Sequence, residues 1–293
     1  MIIKVFLYNL FCKLDHIINI KIMSIHKASV KGKRPQNEDK HSCVLNMDTG
    51  STDHDKTKAP INYFAVYDGH GSKFISAYLA EHLPTCFMDK RIQYPLKKNF
   101  VKKLYNYWQN ELKTKYAKIA ENAGSTCCAV IQYREGDCEY LNVLNTGDSR
   151  CIICRGNLGI PLTYDHKPGT AVERARITAL GGTVTWDGFD WRVDSLSVSR
   201  AFGDISSEPF LTCMPDIYKY KLTKDDKFIV LACDGLFDVK NTAEVVEYVL
   251  ENCYDMQTGM RINKNINIAK RLADHAIAIG STDNVSVIVV FFD

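Results

Sequence analysis

Apolar residues along the chain fall into short continuous runs and into longer stretches at helical spacing, and the order of the two predicts the elements. Asn62-Tyr-Phe-Ala-Val-Tyr67 reads as a buried strand stopped by the polar cluster Asp68-Gly-His-Gly-Ser72. Residues 73–89 carry Phe74, Ala77, Tyr78 and Phe87 at helical spacing, interrupted by Pro84. Residues 97–122 predict a longer amphipathic helix with Phe100, Leu104, Trp108, Leu112, Tyr116 and Ile119 on its apolar face and Gly124 as its stop. Strand-like runs follow at 125–134, 138–144 and 150–154, the first two joined by a turn at Glu135-Gly-Asp137. A helix over 170–180 closed by Gly181-Gly182, a strand over 227–233, helices over 242–253 and 266–279 and a strand over 285–292 complete the pattern.

Strands adjacent to strands and helices adjacent to helices imply antiparallel sheet with segregated helices, an α+β fold and not a doubly wound parallel sheet. No Pro/Gly/Ser-rich linker interrupts the chain after residue 24, so residues 24–293 are expected to be one domain. Residues 1–23 read as an N-terminal extension without a catalytic role. Their apolar run is broken by Lys13, Asp15 and His16, lacks a small-residue cleavage site, and is too short for a membrane span. Met23 stands as an alternative start.

Composition narrows the function classes. Thirty-seven basic against 34 acidic side chains leave a net charge of +3, which gives no electrostatic argument for nucleic acid or an anionic membrane as partner. The eleven cysteines are scattered and sit in apolar runs, which suits buried thiols in a reducing cytoplasm (the nucleus being compatible) better than a secreted disulfide framework. Cys151-Ile-Ile-Cys154 has the spacing of half a zinc knuckle. In a strand, however, positions i and i+3 face opposite ways, and no second pair follows.

The aspartates carry the chemistry. Asp68, Asp148, Asp234 and Asp283 each follow an apolar run in a tight Gly- or Asn-containing turn, and Glu38-Asp39 adds two more carboxylates. One such aspartate is ordinarily a turn former or a helix cap. Several at strand ends that converge must be protonated, paired with cations or bound to metal. Oxygen donors of this kind suit Mg²⁺ or Mn²⁺. Cys128 and Arg134 have the spacing of a cysteine-phosphatase loop, but the intervening Ala-Val-Ile-Gln-Tyr is strand-like and has no glycine.

Arg34-Pro-Gln-Asn-Glu-Asp39, Tyr67-Asp-Gly-His-Gly71, Asn145-Thr-Gly-Asp-Ser-Arg150, Asp165-His-Lys-Pro168, Ser199-Arg-Ala-Phe-Gly-Asp204, Cys233-Asp-Gly-Leu-Phe-Asp238 and Ser281-Thr-Asp-Asn-Val-Ser286 occur in that order. This series resembles the motifs of the PP2C (PPM) family of metal-dependent protein serine/threonine phosphatases, over about residues 24 to 293. The resemblance implies a four-layer sandwich, two antiparallel β-sheets flanked by helices on both faces, with a metal centre at one end.

It also implies roles. Asp68 would bridge two Mn²⁺ or Mg²⁺ ions with the Gly69 carbonyl on one of them, and Asp234 and Asp283 would hold the other. Glu38 and Asp39 would act through metal-bound water, and Asp148 and Asp238 would serve a weaker third ion. A hydroxide bridging the two ions would attack phosphorus of a phosphorylated protein substrate. Arg34 would hold the phosphate and His70 would protonate the leaving oxygen. Arg150, Lys167, Arg200 and Asp204 have supporting roles at most, and a monomer is expected. Cys233 and Phe237 stand where the family often has Ser and Trp, and the stretch from Arg192 to Asp216 is more compact than usual beside the site. A catalytically inactive relative acting as a binding scaffold would lose metal carboxylates, and this chain keeps them. A small-molecule metal phosphohydrolase would share the same centre.

Overall fold

The computed structural model describes residues 23–47, 61–89 and 91–292. The strands are β1 Ser24–Val30, β2 Lys40–Met47, β3 Ile61–Tyr67, β4 Gly69–His70, β5 Gly124–Ser125, β6 Cys127–Glu135, β7 Cys138–Thr146, β8 Arg150–Arg155, β9 Leu158–Pro161, β10 Thr185–Trp186, β11 Trp191–Arg192, β12 Phe202–Gly203, β13 Asp216–Lys221, β14 Asp226–Ala232 and β15 Val285–Phe291. The helices are α1 Lys73–Cys86, α2 Lys98–Lys115, α3 Ala117–Ala120, α4 Ala171–Ala179, α5 Asp234–Phe237, α6 Thr242–Cys253 and α7 Ile268–Ala278.

Two five-stranded antiparallel sheets form the centre, ordered β1-β15-β14-β8-β9 and β13-β7-β6-β3-β2. Period-two alternation sorts their side chains. Phe64 and Val66 of β3 point into the core between the sheets with Ile229, Leu231, Ile288 and Val290. Tyr63, Ala65 and Tyr67 point outward onto α1 and α2, burying Ile75, Leu79, Val101 and Tyr105. On the other face, Val230, Val287 and Val289 pack against Val245, Val249 and Leu272 of α6 and α7. The result is the expected helix–sheet–sheet–helix sandwich.

Cys151 lies in the inter-sheet core and Cys154 in the helix-side core, so the pair cannot share a ligand. None of the ten cysteines among the described residues is in a disulfide. No described helix is long and apolar enough to cross a membrane. Met23 packs at the edge of the inter-sheet core, while the rest of the predicted extension and Asp293 lie outside the described residues.

Two expectations need correction. The face that α2 buries is Val101, Tyr105, Trp108, Gln109 and Leu112, a rotation from the predicted Phe100–Leu104–Trp108 stripe, and Phe100 and Leu104 are only half-buried. Gly124 is not a helix stop either. The helix ends at Lys115, and Gly124 lies in β5 between His70 and Gly203.

Candidate metal centre and active site

Register brings the acidic turns to one end of the sandwich. Val30 pairs with Val285, Ala232 with Val287 and Arg150, and Lys40 with Tyr67. The segments just beyond these pairs carry Arg34, Asp283, Asp234, Asp148, Asp39 and Asp68. There they border a cleft of about 390 Å³ whose lining includes Arg34, Glu38, Asp68, His70, Asp148, Asp234 and Asp283.

Asp68 is pinned at the end of β3. Its N–H donates to Thr126 Oγ1 (3.0 Å), and its carbonyl accepts from the Thr126 N–H (2.9 Å). Gly69 must be glycine, since a Cβ there would lie 2.5 Å from the Glu38 carbonyl oxygen. Glu38 is held through its N–H to Asn284 Oδ1 (2.8 Å), and that Asn also donates to the carbonyls of Lys31 and Gln36. Asn284 thereby ties the Arg34 loop to the Asp283 turn.

The carboxylates crowd. Single oxygens of Asp68, Asp148 and Asp234 lie within 4.8 Å of one another, as do Asp39, Asp68 and the Cys233 sulfur. Both carboxylate oxygens of Asp39 are buried without a hydrogen-bond partner. Burial, then repulsion from Asp39, Asp234 and Asp148, raises the Asp68 pKa well above its ordinary value. Asp234 is raised well above as well, by burial and then by Asp148 and Asp238. Burial and Asp283 push Asp39 up to about 6. The Cys233 thiol is held protonated by burial and the same carboxylates.

Among the described residues, the only ion pair to Asp39, Asp68, Asp148 or Asp234 is Lys167 Nζ to Asp148, at 2.9 Å. Such a cluster is stable with its carboxylates ionised only if cations enter it. Its oxygen donors and orphaned Asp39 fit hard divalent cations.

Asp283 sits at the rim, ion-paired with the exposed Arg34 at 2.5 Å, and Glu38 and Gly69 line the same cleft. Asp238 ends the short helix α5 on its exposed side and does not line the cleft.

His70 has a partner that sequence reasoning ranked too low. Its Nε2 lies 2.8 Å from Asp204 Oδ2, and Asp204 is buried. The small sheet β12-β5-β4 brings the two together. Gly124 sits between them, where a Cβ would stand 2.1 Å from Asp204 Oδ2 and 2.7 Å from His70 Nε2. Burial alone would lower the His70 pKa, but the hydrogen bond and charge of Asp204, with Asp148 and Glu38, raise it above its ordinary value. Lys167, expected to play at most a supporting role, is the cation paired with Asp148. Burial opposes its charge, yet Asp148 raises its pKa. The sequence offered each only as a charged residue in a turn, with no sign of its partner.

The profile described as Protein phosphatase 2C matches residues 24–285. The chain belongs to the protein phosphatase 2C family. A PP2C-like domain-containing protein of Acanthamoeba polyphaga mimivirus is 41% identical over 170 residues, covering 53% of this chain and 95% of that protein. Protein phosphatase 2C homolog 3 of Schizosaccharomyces pombe is 33% identical over 90% of this chain, which spans 63% of that longer relative. Among solved structures, a C. elegans sex-determining protein superposes with a TM-score of 0.77 at 25% identity, over 92% of this chain and 65% of that one. A serine-threonine phosphatase 2C from Toxoplasma gondii gives 0.69 at 23% identity, over 92% and 94%. The second likeness bears on fold alone.

Proposed function

We propose that this chain hydrolyses phosphoserine and phosphothreonine esters of proteins with divalent cations, Mn²⁺ or Mg²⁺, held by its carboxylate cluster. The observation that carries the reading is the convergence of Asp68, Asp148 and Asp234, nearly without cationic partners, in one cleft with a guanidinium and an imidazole, and with the buried Asp39 against Asp68.

Asp68 with the Gly69 carbonyl, Asp234 and Asp283 would hold two ions, Glu38 and Asp39 would support them through water, and Asp148 and Asp238 would serve a weaker third. Cations bound there supply Lewis-acid activation of water and neutralise phosphate charge. Arg34, fixed by Asp283 at the rim, presents its planar fork to the phosphate oxygens. His70 gives a proton to the leaving Ser or Thr oxygen. Asp204 occupies Nε2, which leaves Nδ1 for that transfer, and its hydrogen bond and charge raise the ring's pKa above its ordinary value. In this reading residues 24–293 are the catalytic domain and residues 1–23 an extension. The free thiols suit a reducing compartment such as the cytoplasm.

The test is phosphate release from a phosphothreonine peptide with Mn²⁺ or Mg²⁺. Activity that disappears with EDTA and in Asp234→Asn supports the proposal. A folded protein inactive with both metals is a binding module, and one active only on small phosphoesters acts on another substrate class.

A further inference from the structure

At the end of the sandwich opposite the cleft lies a larger cavity that catalysis does not use. α1 starts beside His70 and runs away from the site for 14 residues, roughly 20 Å of helix. Its far end and the first turns of α2 enclose a groove of about 650 Å³ lined by Cys86, Ile92, Phe100 and Leu104, with Asp89, Arg91 and Lys97 at its edge.

The groove follows from the rotation of α2 described above. Val101, Tyr105, Trp108 and Leu112 form the buried face, while Phe100 and Leu104 pack against the rim of that core and stay half-buried. Tyr107, 53% exposed, continues their stripe at positions i, i+4 and i+7. A partly exposed apolar stripe beside an open groove is the form of a contact surface.

Charge indicates what the groove receives. Lys97 and Lys103 border the stripe, both exposed and in no ion pair among the described residues. Arg91 is neutralised by Asp89. α2 has no acidic residue in its first turn and no side-chain cap on Lys97, so its positive N-terminus adds to the lysines instead of offsetting them. The chain's own candidates fit poorly. Residues 1–22 carry Lys4, Lys13 and Lys21 against Asp15, and residues 48–60 have almost no apolar side chain to insert.

We propose that this groove docks an acidic peptide segment of a partner protein, with apolar side chains set against Phe100 and Leu104 and Asp or Glu against Lys97, Lys103 and the α2 N-terminus. The occupant is recruited away from the cleft, so docking and catalysis are separable.

Selection of phage-displayed random dodecapeptides on the full chain, followed by fluorescence polarisation with the enriched peptides, tests this. The expected sequences hold two or more apolar residues flanked by Asp or Glu. The Lys97→Glu/Lys103→Glu double variant and Leu104→Ser each weaken binding by about tenfold or more, while hydrolysis of p-nitrophenyl phosphate is unchanged. The double variant alters exposed side chains only, so its effect is independent of folding. No enrichment, enrichment of basic peptides, or equal affinity for the double variant overturns the proposal. Displacement by a synthetic peptide of residues 1–22 assigns the groove to the chain itself and overturns it. A dimer in sedimentation velocity that Leu104→Ser dissolves assigns it to a second copy, with the same consequence.

Discussion

Around Glu173 and around Asp68 the chain buries ionisable side chains in opposite ways. Glu173, 1% exposed, is bonded by Arg200 through Nε (3.1 Å) and Nη2 (2.6 Å), by Arg176 and by the Ser199 hydroxyl. Arg200 also reaches Asp216, whose second oxygen lies 3.2 Å from His166 Nε2. Burial would raise the Glu173 pKa, but Arg200 and Arg176 outweigh it and hold it at about 2. Around Asp68 the same burial acts on carboxylates that face one another, and their pKa values rise. The first cluster is complete as folded and reads as structure. The second leaves its carboxylates largely unneutralised, which is the pattern of a functional site.

Asp234→Asn is expected to lower metal-dependent phosphatase activity by more than about 10³-fold. It should leave or raise the metal-free melting temperature, because it removes one of the repelling charges. Phosphate release and thermal unfolding in EDTA read the two halves. Glu173→Ala is expected to do the reverse, with a loss of about 3–5 kcal/mol in urea unfolding, since it strands Arg200 and Arg176. If the two variants behave alike, the distinction fails.

pH separates the clusters further. Asp39 moves from 3.8 to about 6 on folding, so its share of metal-free stability is complete below pH 3.8 and lost as pH rises through about 6. Glu173 moves from 4.5 to about 2, so its share is present above pH 4.5 and lost as pH falls through about 2. Metal-free protein should therefore lose on the order of 1–3 kcal/mol between pH 4 and pH 7, measured by urea titration. Saturating Mg²⁺ should remove that slope.

Asp204→Asn tests an intermediate case, a charge pair at the edge of the acidic cluster. Activity should fall about 10- to 100-fold, and the basic limb of the pH–rate profile should move to lower pH, because Asp204 raises the His70 pKa. An unshifted profile would separate Asp204 from the proton transfer. The smallest expected effect concerns backbone and not charge. Asp194 and Ser195 both have positive φ, +46° and +71°, in the two-residue turn closed by Val193 and Leu196 beside the cleft. Ser195→Gly should stabilise the fold by about 0.5–1 kcal/mol in urea unfolding.

Much of this was legible along the chain. β3, β7, β8 and α6 were bounded to within a few residues, because their apolar periods end at sharp polar turns. The acidic turns stood out because Gly or Asn beside Asp after an apolar run is a local signal. What escaped was non-local. His70 and Asp204 are 134 positions apart, and their pairing depends on a glycine that spacing assigned to a helix stop. The rotation of α2 escaped for a related reason, since two overlapping apolar stripes differ by one residue and only the opposing sheet selects between them.

The sequence alone determined the main helices, the strands β3, β6, β7, β8, β14 and β15, the antiparallel α+β class, the family and the inventory of acidic turns, since each rests on short-range pattern. Tertiary structure decided which carboxylates crowd, which are neutralised and which face of α2 is spare. Those properties depend on distances and burial between segments far apart in the chain, where Coulomb energy and desolvation act and periodicity carries no information.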